Sequence, residues 1–286
     1  MSKVTFLLDS GSDYEDFLAS YFDYPVRVVP LFVNIEGKEY LDGETISKNN
    51  FYKEMANSKE LPKTSQPTPQ RFYEIYQEEL NKGNEVLFIS LSSKLSGTFQ
   101  SALIGRNMLE DYQQEKIYLV DSLNVAATVV LQLLKANELL KSGKSLSDIK
   151  NELESFRVKT NFIALLDTLE NLKKGGRISA TKATVGGLLN VKPLITIIDG
   201  LVESLDSFRG RNKGLNRIIE IFNEKQEHID KKYLFILHNY ENEDLLQEDV
   251  NKFDLSQFNE IIYSKIGPTI GTYAGPNTLG FAYTEN

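Results

Sequence analysis

Ser90, Ser92, Ser93, Ser96 and Thr98 crowd into nine consecutive positions of this chain. They follow a short unbroken apolar run, Val86–Ile89, of the kind expected of a strand covered on both faces. Gly97 allows a tight turn, and the segment from Thr98 to Leu109 is helical in character. In an open parallel sheet, ligands bind beyond the carboxyl ends of the strands. Hydroxyls and helix N-terminal N–H groups are therefore placed where a ligand would sit. The segment carries no strong base, thiol or metal ligand. Its chemistry suits holding an anion more than breaking a bond.

Asp9 and Asp13 follow the first apolar run, Val4–Leu8. Two carboxylates so spaced can hold Mg2+, which would suit a metal-dependent phosphotransferase or hydrolase. Capping a helix is the commoner role of Asp there. The Ser-Gly-Ser between them lacks the G-x-G-x-x-G dinucleotide pattern, and no P-loop occurs. No G-x-S-x-G surrounds the serines. His228 and His238 are the two histidines. One reads as a surface residue and the other as a strand end, so a Ser–His nucleophile is not indicated. Thr64 and Ser65 lie in Lys63-Thr-Ser-Gln-Pro-Thr-Pro69, read as a loop, where hydroxyls often bond local backbone. Arg177 follows Gly175-Gly176, where a backbone or ligand can come close; a salt bridge is the ordinary use of such an arginine. Gly186-Gly187 interrupts a helical pattern at about 1 kcal/mol per residue relative to Ala, a sign of close approach by another group or of tight packing.

These residues need elements to hold them. The chain has 286 residues, 41% hydrophobic and 25% charged, enough for one large domain or two smaller ones. Strand and helix patterns alternate over the first half: strand Val4–Leu8, helix Asp13–Tyr21, strand Val26–Ile35 interrupted at Pro30, helix Ser47–Met55, strand Glu85–Leu91, helix Thr98–Leu109, strand Lys116–Val120, helix Asn124–Ser142 and helix Ser147–Phe156. That is a βαβ signature, hence a parallel sheet with helices on both faces. From Thr160 the pattern changes to a mixed one. It includes a helix over Leu166–Leu172, another over Thr184–Asn190 and a hairpin on the Asp199-Gly200 turn. The boundary falls near Phe156–Lys159, giving domains 1–157 and 158–286 packed on each other.

The net charge of −8 argues against nucleic acid or an anionic membrane as partner. The absence of cysteine excludes disulfides, Cys-ligated zinc and thiol nucleophiles. No apolar stretch approaches the ~20 residues of a membrane span, and no signal peptide is read at Met1–Ser10. The expectation is a cytoplasmic protein without stable membrane insertion.

Several segments together resemble the DegV family of bacterial fatty-acid-binding proteins, which includes the FakB type. They are Asp9-Ser, Thr64-Ser-Gln-Pro-Thr-Pro, Ser92-Ser-Lys-Leu-Ser-Gly-Thr-Phe-Gln-Ser-Ala, Asp121-Ser, Gly175-Gly-Arg-Ile-Ser, Lys192-Pro-Leu and Ile266-Gly-Pro with Ile270-Gly-Thr. They occur in family order over nearly the whole chain. The resemblance implies two α/β domains, the N-terminal one with a mostly parallel sheet and the C-terminal one smaller and mixed, with a long-chain fatty acid such as palmitate or oleate in a tunnel between them. It implies that Thr64 and Ser96 bind the carboxylate, with Arg177 near the head group or a partner surface. It further implies a non-enzymatic carrier, without catalytic residues, metal or cofactor other than the bound acid, that presents the acid to a fatty acid kinase subunit or an acyltransferase in lipid transport and fatty acid metabolism. At two places the chain departs from the family pattern Gly-Thr-His-x-Gly-Pro-Gly. Tyr273 replaces the histidine, and Asn277 the last glycine. A phenol at the head group still donates a hydrogen bond but carries no positive charge near pH 7.

The physics of such a ligand sets two requirements. A tail of about 15 methylenes gains up to ~12 kcal/mol on burial at ~0.8 each. An unpaired buried carboxylate opposes this strongly, so the head group needs donors. The tail needs apolar walls, for which Leu165, Leu166, Leu169, Leu188, Leu189, Ile195 and Ile197 are the candidates.

Overall fold

The computed structural model describes residues 3–178 and 190–286. The first half of the chain builds β1 (Lys3–Asp9), β2 (Val26–Val29), β3 (Phe32–Ile35), β4 (Lys38–Leu41), α1 (Lys48–Asn57), β5 (Lys63–Ser65), α2 (Pro69–Asn81), β6 (Asn84–Ser90), α3 (Thr98–Asn107), α4 (Asp111–Gln114), β7 (Ile117–Asp121), α5 (Ala127–Lys141) and α6 (Leu146–Phe156). Strands β2-β1-β6-β7 form one sheet, parallel at every pairing. Strand alternation sorts its unbroken apolar runs onto two faces. Phe6, Leu8, Leu87 and Ile89 pack under α5 and α6, while Leu7, Val86 and Phe88 pack under α2 and α3. Helix caps agree with their sequences: Ser47, Thr68 and Ser145 each accept an N–H from three residues on, and Pro69 opens α2.

The second half builds β8 (Thr160–Leu165), α7 (Glu170–Lys174), β9 (Val191–Ile198), β10 (Leu201–Arg209), α8 (Arg211–Glu224), β11 (Ile229–His238), α9 (Glu243–Val250), β12 (Glu260–Lys265), α10 (Pro268–Ala274) and β13 (Leu279–Glu285). Six strands form a mixed sheet in the order β10-β9-β8-β13-β11-β12, antiparallel except between β11 and β12. One face packs on α8 and α9 through Leu194, Leu234 and Ile236. The other face meets α5, which lies between the two sheets. Val129, Leu133 and Ala136 of α5 face the first sheet; Ala127, Val130, Leu131 and Leu134 face the second. Because α5 is buried on both sides, its apolar residues run around the helix instead of forming one stripe.

Four sequence expectations change, the first being the helix over Leu166–Leu172, which is only α7, Glu170–Lys174. Val26–Ile35 is not one strand: the chain breaks at Pro30, and β2 and β3 join different sheets. Residues 63–65 are not loop but β5, the edge of a small antiparallel sheet β4-β3-β5. Its register, Val33 opposite Thr64, was hidden because Lys-Thr-Ser has no apolar alternation to announce it. The helix expected over Asp13–Tyr21 is a 3-10 segment, Asp16–Tyr21, with Asp13 held in the left-handed region at φ 55°. The helix expected at 184–190, with Gly186, Gly187, Leu188 and Leu189, lies outside the described residues apart from Asn190. The Pro- and Gly-rich end of the chain had no assigned structure. It supplies α10 and then β13, which inserts between β8 and β11.

Candidate functional site

A cavity lies between the two halves, with about 870 Å3 of atom-free space that includes adjoining open solvent. Its walls are apolar over most of their extent. The first half contributes Leu31, Leu91, Leu95 and Val125; the second contributes Phe162, Leu166, Ile195, Ile197 and Leu237; α10 and the turn before it add Ile266 and Ile270. Thr64, Ser65, Gln66, Ser96, Arg177 and Tyr273 form its main polar group, and the lining also holds Thr269 and Thr278, whose hydroxyls donate to Asp42 and to the Ala274 carbonyl. Ser65 and Gln66 are exposed, so the cavity opens to solvent there.

All four site residues expected from the sequence therefore line one cavity, although they come from four separate segments. β5 places Thr64 opposite Val33. Ser96 sits in the turn after β6, two residues before α3, where its Oγ accepts the Thr98 N–H at 3.3 Å. Arg177 follows α7, and Tyr273 is near the end of α10. Thr64 Oγ1 and Tyr273 OH are 2.6 Å apart, and Ser96 Oγ and Thr98 Oγ1 are 2.9 Å apart. Each pair holds two hydroxyl protons and uses one in the mutual bond, so each has one O–H left for a ligand oxygen. The Arg177 guanidinium stacks over the Tyr273 ring, 4.8 Å from its centroid. Arg177 donates through Nε to the Leu95 carbonyl at 3.4 Å and through a terminal nitrogen to the Gly175 carbonyl at 2.5 Å. It meets no carboxylate among the described residues, so the salt bridge that would be its ordinary use is not made. Gly175 is required by the ring itself. A Cβ at that position would lie 2.3 Å from Tyr273 Cε1.

The proposed tail-lining residues divide. Leu166, Ile195 and Ile197 line the cavity. Leu165 does not: it ends β8 one residue out of phase with Ala164, so it faces away and packs against Gly214 in the core under α8. Leu169 is buried near the cavity in the same core as Leu166 but is not among its lining residues. Leu188 and Leu189 lie outside the described residues. Most of the remaining wall had no signal in the sequence, because it is made of single residues from many strands and turns. Gln66 and Ser65 could have been found, since they lie inside the motif that contains Thr64.

The other candidate residues have structural roles. The Asp9 carboxylate accepts the Gly11 N–H at 3.0 Å and the Leu91 N–H at 2.9 Å. Asp13 Oδ1 accepts the Gly267 N–H at 2.8 Å. Burial pushes each of them up to about 7, against the pull of those N–H bonds. Asp9 and Asp13 thus serve as anchors for backbone, each accepting main-chain N–H groups. Ser92 donates to the Gly200 carbonyl at 2.7 Å, tying the β6 turn to the β9–β10 hairpin. His238 opens on a different cleft, beside Glu15 and Lys265, and burial holds its imidazole down at about 4. No serine nucleophile is assembled with it.

A family model described as "uncharacterised protein, DegV family" matches residues 3–286. The chain belongs to the DegV family. A DegV domain-containing protein of Clostridium acetobutylicum is 35% identical over 285 residues, covering 100% of this chain and 99% of the relative. A DegV-family protein of Thermus thermophilus, described by its fatty acid binding, is 33% identical in its solved structure, with a TM-score of 0.87 over 99% of this chain and 100% of that one. A Thermotoga maritima protein whose structure is said to reveal a fatty acid binding function is 27% identical with a TM-score of 0.84, over 100% of both chains. In this DegV-family chain, Asn277 stands where the family pattern has glycine. It sits at φ 53°, the left-handed region that Asn enters more readily than most side chains, and its Nδ2 donates to Asp167 at 3.0 Å. The turn is kept without the glycine. Among the described residues no helix is long and apolar enough to cross a membrane.

Proposed function

We propose that this DegV-family chain is a carrier, not an enzyme, that binds one long-chain fatty acid such as palmitate or oleate. The acyl tail occupies the apolar cavity between the two halves. The carboxylate rests at the open end on the spare hydroxyl protons of the Thr64–Tyr273 and Ser96–Thr98 pairs, beside the Arg177 guanidinium. The single observation that carries this reading is the polarity of the cavity: a mostly apolar lining, with neutral donors grouped around the Arg177 guanidinium, which among the described residues meets no carboxylate. Burying the tail contributes up to ~12 kcal/mol, of which association and ordering remove several. Donors at the mouth offset the desolvation of the carboxylate. No cofactor is needed for this role. The open position of the head group suits delivery to a fatty acid kinase subunit or an acyltransferase, and so a place in lipid transport and fatty acid metabolism.

Organic extraction of the purified protein followed by mass spectrometry is the direct test, with fatty acid near one equivalent per chain expected. Thr64→Ala combined with Ser96→Ala should weaken palmitate binding by about tenfold or more, since a hydrogen bond to a charged group contributes roughly 1.5–3 kcal/mol. The melting temperature of the lipid-free protein should barely move. Binding as tight as wild type would remove the head-group assignment.

A further inference from the structure

Helix α10 forms part of the cavity wall, contributing Thr269, Ile270, Tyr273 and Ala274. Its first turn is embedded in the first half of the chain, and near its last turn Tyr273 meets Thr64. The embedded end is gripped by carboxylates. Asp13 Oδ1 accepts the Gly267 N–H at 2.8 Å, and Asp42 Oδ2 accepts the Thr269 N–H at 3.0 Å and also the Thr269 hydroxyl. A Cβ on Gly267 would lie 2.8 Å from Asp13 Oδ1 and 3.6 Å from Asp42 Oδ1, so both carboxylates converge on one backbone position. Asp13 Oδ2 is buried with no hydrogen-bond partner. Around this seat, Tyr52 OH donates to the Ile266 carbonyl at 3.0 Å and Lys48 Nζ to the Lys265 carbonyl at 2.6 Å. Ile266, Thr269 and Ile270 also line the acyl cavity, so the seat and the cavity share a wall.

We propose that Asp13 and Asp42 are positioning residues of the acyl site: they seat the first turn of α10, so setting Tyr273 against Thr64, and because this seat packs two carboxylates together away from water, it loosens as pH rises towards neutrality. The inference rests on the fatty-acid reading above and adds a regulation to it. Asp13 faces Lys48 on α1, which favours its charge, and Asp42 and Glu15, which oppose it. Glu15 is in turn held 3.2 Å from Lys48 Nζ and accepts the Lys265 N–H. Burial dominates and raises Asp13 to about 7; it raises Asp42 as well. His238, near Lys265 and Glu15, is held at about 4 and is already neutral over the range that matters. Tyr52 is raised away from it. Asp9 is raised to about 7 too, but both its oxygens are bonded within the first half, so it adds a background common to wild type and variant.

The sign follows from linkage. A seated Asp13 keeps its proton up to about 7, whereas a released one ionises near its ordinary 3.8. The seat's contribution is therefore full below about pH 4 and fades as pH rises through about 7.

Palmitate dissociation rates and urea midpoints of wild type and Asp13→Asn, each from pH 5.5 to 7.5, test this. One proton allows at most about tenfold per pH unit, so wild-type dissociation should quicken by roughly threefold or more across the range. Asp13→Asn should be markedly flatter, and its urea midpoint should decline less with pH than that of wild type. A flat wild-type profile, or an equal slope in the variant, overturns the proposal. If neither protein binds palmitate but the urea slopes differ as stated, the lipid reading fails and the proton-linked seat stands. If Asp13→Asn does not fold, Asp13→Ser, which keeps an oxygen acceptor but does not titrate, carries the same comparison.

Discussion

Thr64 Oγ1 and Tyr273 OH lie 2.6 Å apart although 209 residues separate them in the chain. The contact joins the edge strand of a small sheet in the first half to α10 in the second, at the open end of the cavity. Tyr273→Phe removes this hydroxyl but keeps the ring that lies against Gly175 and under Arg177. Palmitate affinity should fall about fivefold, the worth of one ordinary hydrogen bond of ~1 kcal/mol, with little change in melting temperature. Isothermal titration of the variant checks it; an unchanged affinity would mean that the phenol oxygen does not serve the ligand.

Among the described residues that line the cavity Arg177 is the one cation, and it both stacks on Tyr273 and forks to two carbonyls. Arg177→Lys keeps the charge but loses the planar fork and the stacking. It should weaken palmitate binding by roughly three- to tenfold, and Arg177→Ala more. The difference between the two in displacement assays at low and high salt separates charge from geometry.

Ala164 is fully buried on β8 and lines the cavity. Ala164→Phe would fill part of that space. Overpacking of this kind costs about 1–3 kcal/mol of stability in a filled core, but here an empty cavity can accept the ring. Long-chain acids should lose affinity while shorter ones keep theirs, and mass spectrometry of acids bound from a mixture of chain lengths would show the shift.

Glu79 is buried under the first sheet, where Thr5, Asn84, Lys82 and Arg27 all donate to it. Burial opposes its charge, but these donors win and hold the carboxyl at about 2. Its folded value is depressed, so its stabilising contribution is present above about 4.5 and lost as pH falls through about 2. Glu79→Gln should lower the urea midpoint at pH 7, and the gap to wild type should narrow in acid. A gap of the same size at pH 2.5 would contradict the linkage.

The local features were legible from residue order alone. Unbroken apolar runs such as Val86–Ile89 announced buried parallel strands, and the Asp199-Gly200 turn announced the β9–β10 hairpin. Such signals depend on neighbours in sequence, which is why they survive without a structure. The hydroxyl run before α3 marked a place for an anion by the same logic, and motif order pointed to Thr64, Ser96, Arg177 and Tyr273. Tertiary structure decided what these residues do together. Thr64 became part of a site only through the pairing of β5 with β3, which Lys-Thr-Ser does not advertise. The one-residue step at the end of β8 separates Leu165, which faces the core under α8, from Leu166, which lines the cavity, though the two look alike in a sequence. Asp9 and Asp13 read as metal ligands or caps; folding brings Leu91 and Gly267 amides onto them. A cavity wall assembled from single residues of many strands has no period along the chain, so it exists only once the two halves have closed around it.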